Sequence, residues 1–182
     1  MRTPHMMLLL AAALVWSAGQ ARAATPGARD AWQQARDAAD ANYKNARAHC
    51  DALAGNPKAL CVAEAKAVRV RTQEEARARF EDTLTGYTRA RMRIAAADYD
   101  RDKARCDGFG GNDKDVCRAQ AKAVLVAAQA DAKADRKTIE ARSEAREDKL
   151  EAAWRVAKQR CDAFAGAARD QCLAVAKTEF EK

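Results

Sequence analysis

Six cysteines are the side chains best able to do chemistry in this chain, and their spacing is uniform. They stand in CDALAGNPKALC (50–61), CDGFGGNDKDVC (106–117) and CDAFAGAARDQC (161–172), three versions of one twelve-residue unit. Paired cysteines serve three chemistries. Thiol–disulfide exchange favours two cysteines close together at a helix start, as in Cys-x-x-Cys, and a ten-residue interval does not supply that. A zinc site needs about four ligands, and each unit brings two thiolates with no further donor beside them. A structural disulfide needs two cysteines that meet across a turn, which is the geometry this spacing suits. The pairing expected is Cys50–Cys61, Cys106–Cys117 and Cys161–Cys172, one bridge within each unit.

Other reactive side chains form no constellation. His49 beside Cys50 could activate a thiolate, but the matching positions hold Arg105 and Arg160. Asp51, Asp107 and Asp162 recur as single carboxylates and are expected to pair with Lys58, Lys114 and Arg169 rather than to transfer protons. The sequence contains no glycine-rich phosphate loop and no serine-nucleophile motif. No residue is assigned to catalysis, to a cofactor or to a metal, and the chain reads as non-enzymatic.

The elements that would hold the cysteines follow from the rest of the repeat, which has a period of 55–56 residues. Tyr43, Tyr99 and Trp154 precede the first cysteine of each copy by seven positions; Leu53, Phe109 and Phe164 follow it by three. Gly55, Gly111 and Gly166 mark the turns, and glycine suits the left-handed position that ends a helix. Asn56 and Asn112 can cap the helix that follows, Pro57 fits its first turn, and the third copy has Ala167-Ala168 in their place. Reflection about the turn sets Tyr43 opposite Val68, Tyr99 opposite Val124, and Trp154 opposite Glu179 or Phe180. Positions 39, 43, 46, 50 and 53 step by fours and threes, a coiled-coil-like seam.

The expected fold is all-α: elongated antiparallel helical hairpins, each turn stapled by a Cys-x10-Cys disulfide. Four helices are expected, at about 28–54, 57–109, 113–165 and 168–181, the middle two very long. The first and third turns would share one end, leaving a two-helix hairpin at the second. Thr83, Thr85 and Gly86 weaken helix propensity between Asp82 and Thr88, the one weak point of the second helix, and a kink near Gly86 would make the molecule more compact. The three hairpin units span about 28–84, 85–140 and 141–182.

Composition says why staples are needed. Downstream of residue 23, Leu, Ile, Val and Phe make up about 13% of the chain and alanine about a quarter. Alanine forms helix readily but buries little area. Arg2, the apolar run Met6–Ala18 and Ala21-Arg22-Ala23 read as a signal peptide, residues 1–23, cleaved after Ala23. That places residues 24–182 in an oxidising compartment, the periplasm. No later stretch reaches transmembrane length. Beyond the leader the formal charge is about +5, with both signs interspersed. The basic excess favours acidic partners. Without interleaved aromatics it does not describe a specific nucleic-acid site.

The pattern C-D-x-[LF]-x-G-N-x-K-x-x-C followed by x-x-x-A-K is complete at 50–66 and 106–122; the copy at 161–177 lacks the asparagine and has Arg169 in place of the lysine. In this the chain resembles a group of uncharacterised exported Ala/Lys-rich helical-repeat proteins of Gram-negative bacteria, often labelled TolA-like or cell-envelope biogenesis proteins. The similarity to TolA is to the composition of its long helical middle. The resemblance implies a periplasmic, envelope-associated protein. The function expected is a spacer or interaction scaffold whose partners are envelope proteins or acidic envelope polymers. The alternative is a chaperone or adaptor that clasps unfolded or acidic clients through basic helices.

Overall fold

A computed structural model describes residues 26–180, all of whose regular elements are helices. They are α1 (Pro26–Cys50), α2 (Gly55–Glu81), α3 (Leu84–Cys106), α4 (Gly111–Cys161) and α5 (Gly166–Glu179). The expected signal peptide, residues 1–23, and its expected cleavage site lie outside the described residues. The all-helical class agrees with the sequence reading; the number and layout of the helices do not.

The expected second helix, 57–109, is two helices. Asp82 takes a left-handed conformation (φ 43°) as the C-cap of α2, and its N–H bonds to the Ala78 carbonyl. Thr83 then turns extended, and its hydroxyl accepts from the Gly86 N–H at 3.0 Å, capping α3. Together they make a full reversal at the weak point of the expected single helix. Glu81 spans it, accepting from Arg77 at 2.7 Å and from Arg89 at 2.6 Å. Gly86 is a buried residue of α3 rather than the pivot. A Cβ there would meet the Glu81 carboxylate at 2.7 Å and the Thr83 hydroxyl at 3.0 Å.

Only consecutive helices touch among the described residues. Their cross-contacts run in opposite senses along the two helices, so each consecutive pair is antiparallel. Arg69 reaches Asp40 at 2.5 Å while Phe80 stacks on Trp32 at 5.2 Å, near the start of α1. Arg71 meets Asp98 and Arg93 meets Glu74 between α2 and α3; Arg91 meets Asp135 between α3 and α4. The reversal at 82–83 therefore returns the second cystine turn to the same end as the first. The third turn lies at the far end of α4, so the first and third do not share an end.

The core of this row is narrow. Cys50, Cys106 and Cys161 are the largest side chains below 2% exposure, and most other buried positions are alanines, among them Ala39, Ala67, Ala78, Ala90 and Ala132. Small residues let helices approach closely but remove little apolar area from water, so the bridges carry stability that a larger core would otherwise supply. The interspersed charges have a structural use as ladders between helices, each half-exposed pair being worth about 0–1 kcal/mol.

Helix α4, with 51 residues, is the one very long helix, about 75 Å at 1.5 Å per residue. Ala121, Leu125 and Ala132 are buried in its first half, Trp154 and Cys161 near its end. These positions fall on one side of the helix at 100° per residue. Between them, residues 137–150 are exposed except for half-buried Ser143, and Ile139 and Leu150 on the same side are about half open to solvent. Helix α3 covers one length of this stripe and α5 another. The bare stretch is rich in Ala, Arg, Glu and Lys and carries i,i+4 pairs such as Arg136–Glu140 at 2.7 Å, which support an uncovered helix.

Candidate interaction surfaces

The three cystine turns are built alike. Cys50–Cys61, Cys106–Cys117 and Cys161–Cys172 are each bonded, with Cα atoms 5.7, 5.5 and 5.6 Å apart. In each pair the first cysteine is buried and the second half-buried, so the sulfurs serve the helix contact rather than a reactive surface. His49 is exposed on the helix beside Cys50. No group of His, Cys, Asp or Glu that could hold a metal occurs among the described residues.

Gly55, Gly111 and Gly166 have φ of 60°, 50° and 53°, the left-handed region in which a Cβ is strained. They open the following helix instead of closing the preceding one. The expected asparagine caps are absent: α2, α4 and α5 all begin without a side-chain cap bond. The third copy is thus no worse capped than the others, although it lacks the asparagine. Asn112 is exposed. Asn56 has another role. With its amide nitrogen facing α3, it donates to the Ala104 carbonyl at 2.9 Å and accepts from the Gly108 N–H at 3.1 Å. It ties the first turn to the end of the helix leading into the second.

That tie explains a departure within the repeat. Position 108 is glycine, whereas the equivalent positions are Ala52 and Ala163. A Cβ at 108 would lie 2.7 Å from the Asn56 amide. Reading the copies for differences rather than agreements would have pointed to this contact.

The repeated carboxylates take the partners expected of them. Asp51 meets Lys58 at 2.9 Å, Asp107 meets Lys114 at 3.1 Å and also Arg118, and Asp162 meets Arg169 at 2.8 Å. Lys58 holds the Asp51 carboxyl below the ordinary aspartate range, and Lys114 and Arg118 do the same for Asp107. The three pairs brace the turns alike.

The expected seam pairs need correction. Val68 and Val124 are each 63% exposed. The Tyr43 ring instead lies under Arg69, its guanidinium carbon 5.2 Å from the ring centre, and the Tyr99 ring lies under the Lys122 ammonium at 5.4 Å. Each residue along a helix turns the side chain by 100°, so a reflection that misplaces the contact by one position exchanges Val68 for Arg69, and one that misplaces it by two exchanges Val124 for Lys122. Trp154 does pack on Phe180, with ring centres 6.1 Å apart. Leu53, placed on the seam by its spacing, is exposed, as are Phe109 and Phe164.

A groove that sequence reasoning did not anticipate runs over α3 between α2 and α4. Its volume is about 720 Å³; Ala78, Ala90, Ile94 and Leu125 line it together with Tyr87, Tyr99 and Val124, and charges from Arg71, Arg79, Asp98 and Asp131 border it. It exists because α2 and α4 both pack on α3 and not on each other. Its lining comes from three helices, so no local pattern announces it.

No helix among the described residues is long and apolar enough to cross a membrane. Comparison with protein-family models, with curated proteins and with solved structures finds no match to this chain.

Proposed function

We propose that this is an exported, periplasmic, non-enzymatic protein that acts as an envelope-associated helical spacer or interaction scaffold. One observation carries the reading: α4 runs unbroken from the second cystine turn to the third, uncovered through 137–150. A helix of that kind separates what is bound at its two ends by a length set by residue count. The cystines support it, because bridges persist in oxidising compartments and each one braces a turn at an end of the spacer. The recurring carboxylates are committed to ion pairs, which suits structure better than proton transfer. The resemblance to exported TolA-like proteins and the signal-peptide pattern point to the same compartment and to envelope partners.

The test is a distance. Spin labels at exposed Asn112 and Ala163 should report a narrow distribution centred near 75 Å; a broad distribution at much shorter distance rejects the spacer. Cell fractionation with N-terminal sequencing checks export, with Ala24 as the expected first residue.

A second reading, an adaptor or chaperone, is favoured by the groove over α3. Its alanine-lined floor admits close approach of a client helix, and its mixed charges suit a charged amphipathic one. Photocrosslinkers at Val124 and Tyr87 should capture the same client if this reading holds, and none if the groove is only a by-product of the helix row.

A further inference from the structure

Leu53, Phe109 and Phe164 occupy the same place in the three turns and are 43%, 51% and 53% exposed. Each is held identically, its N–H bonded to the carbonyl of the cysteine three residues earlier at 3.1 Å. An apolar residue repeated three times at a turn tip leaves about half of its surface open to solvent. That surface is available for something outside the chain.

The chemistry of that partner can be read from the tips. Each is convex, a single apolar side chain on a turn, so it penetrates rather than encloses. The position accepts both leucine and phenylalanine, two shapes that a close-packed protein pocket distinguishes and that fluid hydrocarbon does not. Behind each tip, in the last helical turn, stand two basic residues: Arg47 and His49, Lys103 and Arg105, Lys158 and Arg160. Arg105 shares Asp102 at 3.4 Å and Lys158 lies over the Trp154 ring; long basic side chains can still extend their heads toward anionic groups while the stems cover apolar surface. The tip carboxylates Asp51, Asp107 and Asp162 are neutralised by their own lysine and arginine partners. An apolar point with cations one turn behind it matches an anionic bilayer surface.

The fold then counts the tips. The Asn56 tie to Ala104 and Gly108 sets Leu53 and Phe109 at one end of the helix row. Phe164 stands alone at the other, with about 65 Å of α4 between Cys117 and Cys161. We propose that the paired tips Leu53 and Phe109 insert into the interface of an anionic phospholipid bilayer, and that Phe164 gives a second, single-residue contact at the far end. This rests on the spacer reading for the separation of the two ends and not for the lipid contact itself, so a failed label distance and a failed lipid assay are separate results.

The experiment is co-sedimentation with vesicles of equal parts phosphatidylglycerol and phosphatidylcholine, using the protein as cells process it. All variants share the same N-terminal residues, so the comparison reads the tips. Wild type should bind, lose binding as salt rises, and bind phosphatidylcholine vesicles far less. Leu53→Ser with Phe109→Ser should lower partition about tenfold with helicity unchanged. Leu53→Phe should raise it, with helicity unchanged and no added sedimentation in the absence of vesicles. Phe164→Ser should change partition less than about twofold yet abolish clustering of vesicles measured by turbidity. Absence of wild-type binding, equal binding to uncharged vesicles, or indifference to the Leu53/Phe109 pair overturns the proposal. Tip-dependent crosslinking to a protein without vesicle binding would overturn it in favour of a protein pocket.

Discussion

In the part of the molecule before residue 137, α2 and α3 each lie between two other helices, and ion pairs lace every contact. After it, α4 is bare for about four turns and then meets only the 14 residues of α5. Both parts contain the same cystine turn with nearly the same Cα separation. Identical local units therefore sit in unequal settings, and stability is decided by the setting. In the helix row a bridge reinforces a contact that alanines, stacked aromatics and salt bridges also make. In the arm it is joined by Trp154–Phe180 and little else.

Removing bridges should separate the two parts most clearly. Chain entropy assigns about 3 kcal/mol to a loop of this size, and the formula does not distinguish one turn from another. Replacing Cys161 and Cys172 by alanine should nevertheless melt α5 alone, exposing Trp154, now 8% accessible, to a fluorescence quencher while most helicity remains. Replacing Cys106 and Cys117 should instead lower the cooperative transition of the whole row, with α3 and α4 still paired. If both variants lose the same local helicity, the difference between the parts is not real.

Within the row, the inter-turn tie gives the next effect. Gly108→Ala and Asn56→Ala should each cost about 1–2 kcal/mol in denaturant unfolding, and the double variant should cost little more than either. Ala163→Gly, at the equivalent place in the arm, should leave the row's transition unmoved. Additive costs for the first pair would break the assignment.

The reversal at 82–83 is tested by Gly86→Ala. A buried glycine in a helix is normally improved by alanine, by about 0.5–1 kcal/mol, but here the Glu81 carboxylate, fixed by Arg77 and Arg89, stands 2.7 Å from the new Cβ. Net destabilisation of about 1 kcal/mol is expected. Gly27→Ala, which meets nothing within 4 Å, should be neutral or stabilising. A stabilised Gly86→Ala would mean that the clasp yields freely.

The smallest effect is on acidification. The carboxyls of Asp51 and Asp107 are held below their ordinary range in the folded chain by Lys58 and by Lys114 with Arg118. A lowered folded pKa gives stability that is present above the unfolded value and lost as pH falls through the folded one. Melting temperature should therefore decline slightly below about pH 4, less so in high salt. Asp51→Asn with Asp107→Asn should flatten that slope. Both groups are at the surface, so a steep acid transition would have to arise elsewhere.

The sequence by itself determined what is local. Glycine near the middle of each turn, a cysteine at either end and a carboxylate facing a cation across the turn specify a stapled hairpin, because these relations span about a dozen residues and depend only on helix geometry. Alanine-rich, breaker-free segments specified helices for the same reason. The tertiary structure decided whatever required segments far apart in sequence to meet. Asp82 and Thr83 show a weak helix signal, and whether it becomes a kink or a reversal depends on whether α2 and α3 have faces that pack, here through Arg71–Asp98 and Arg93–Glu74. Asn56 looked like a cap because the local pattern offers that use; Gly108, fifty-two positions on, supplied a different partner. Val68 and Val124 were placed on the seam by reflection and turned out by an offset of one position and of two, a difference no spacing rule resolves. The groove over α3 and the shared end of the first two tips follow from that single reversal, since the direction of a helix after a turn is set by what it packs against.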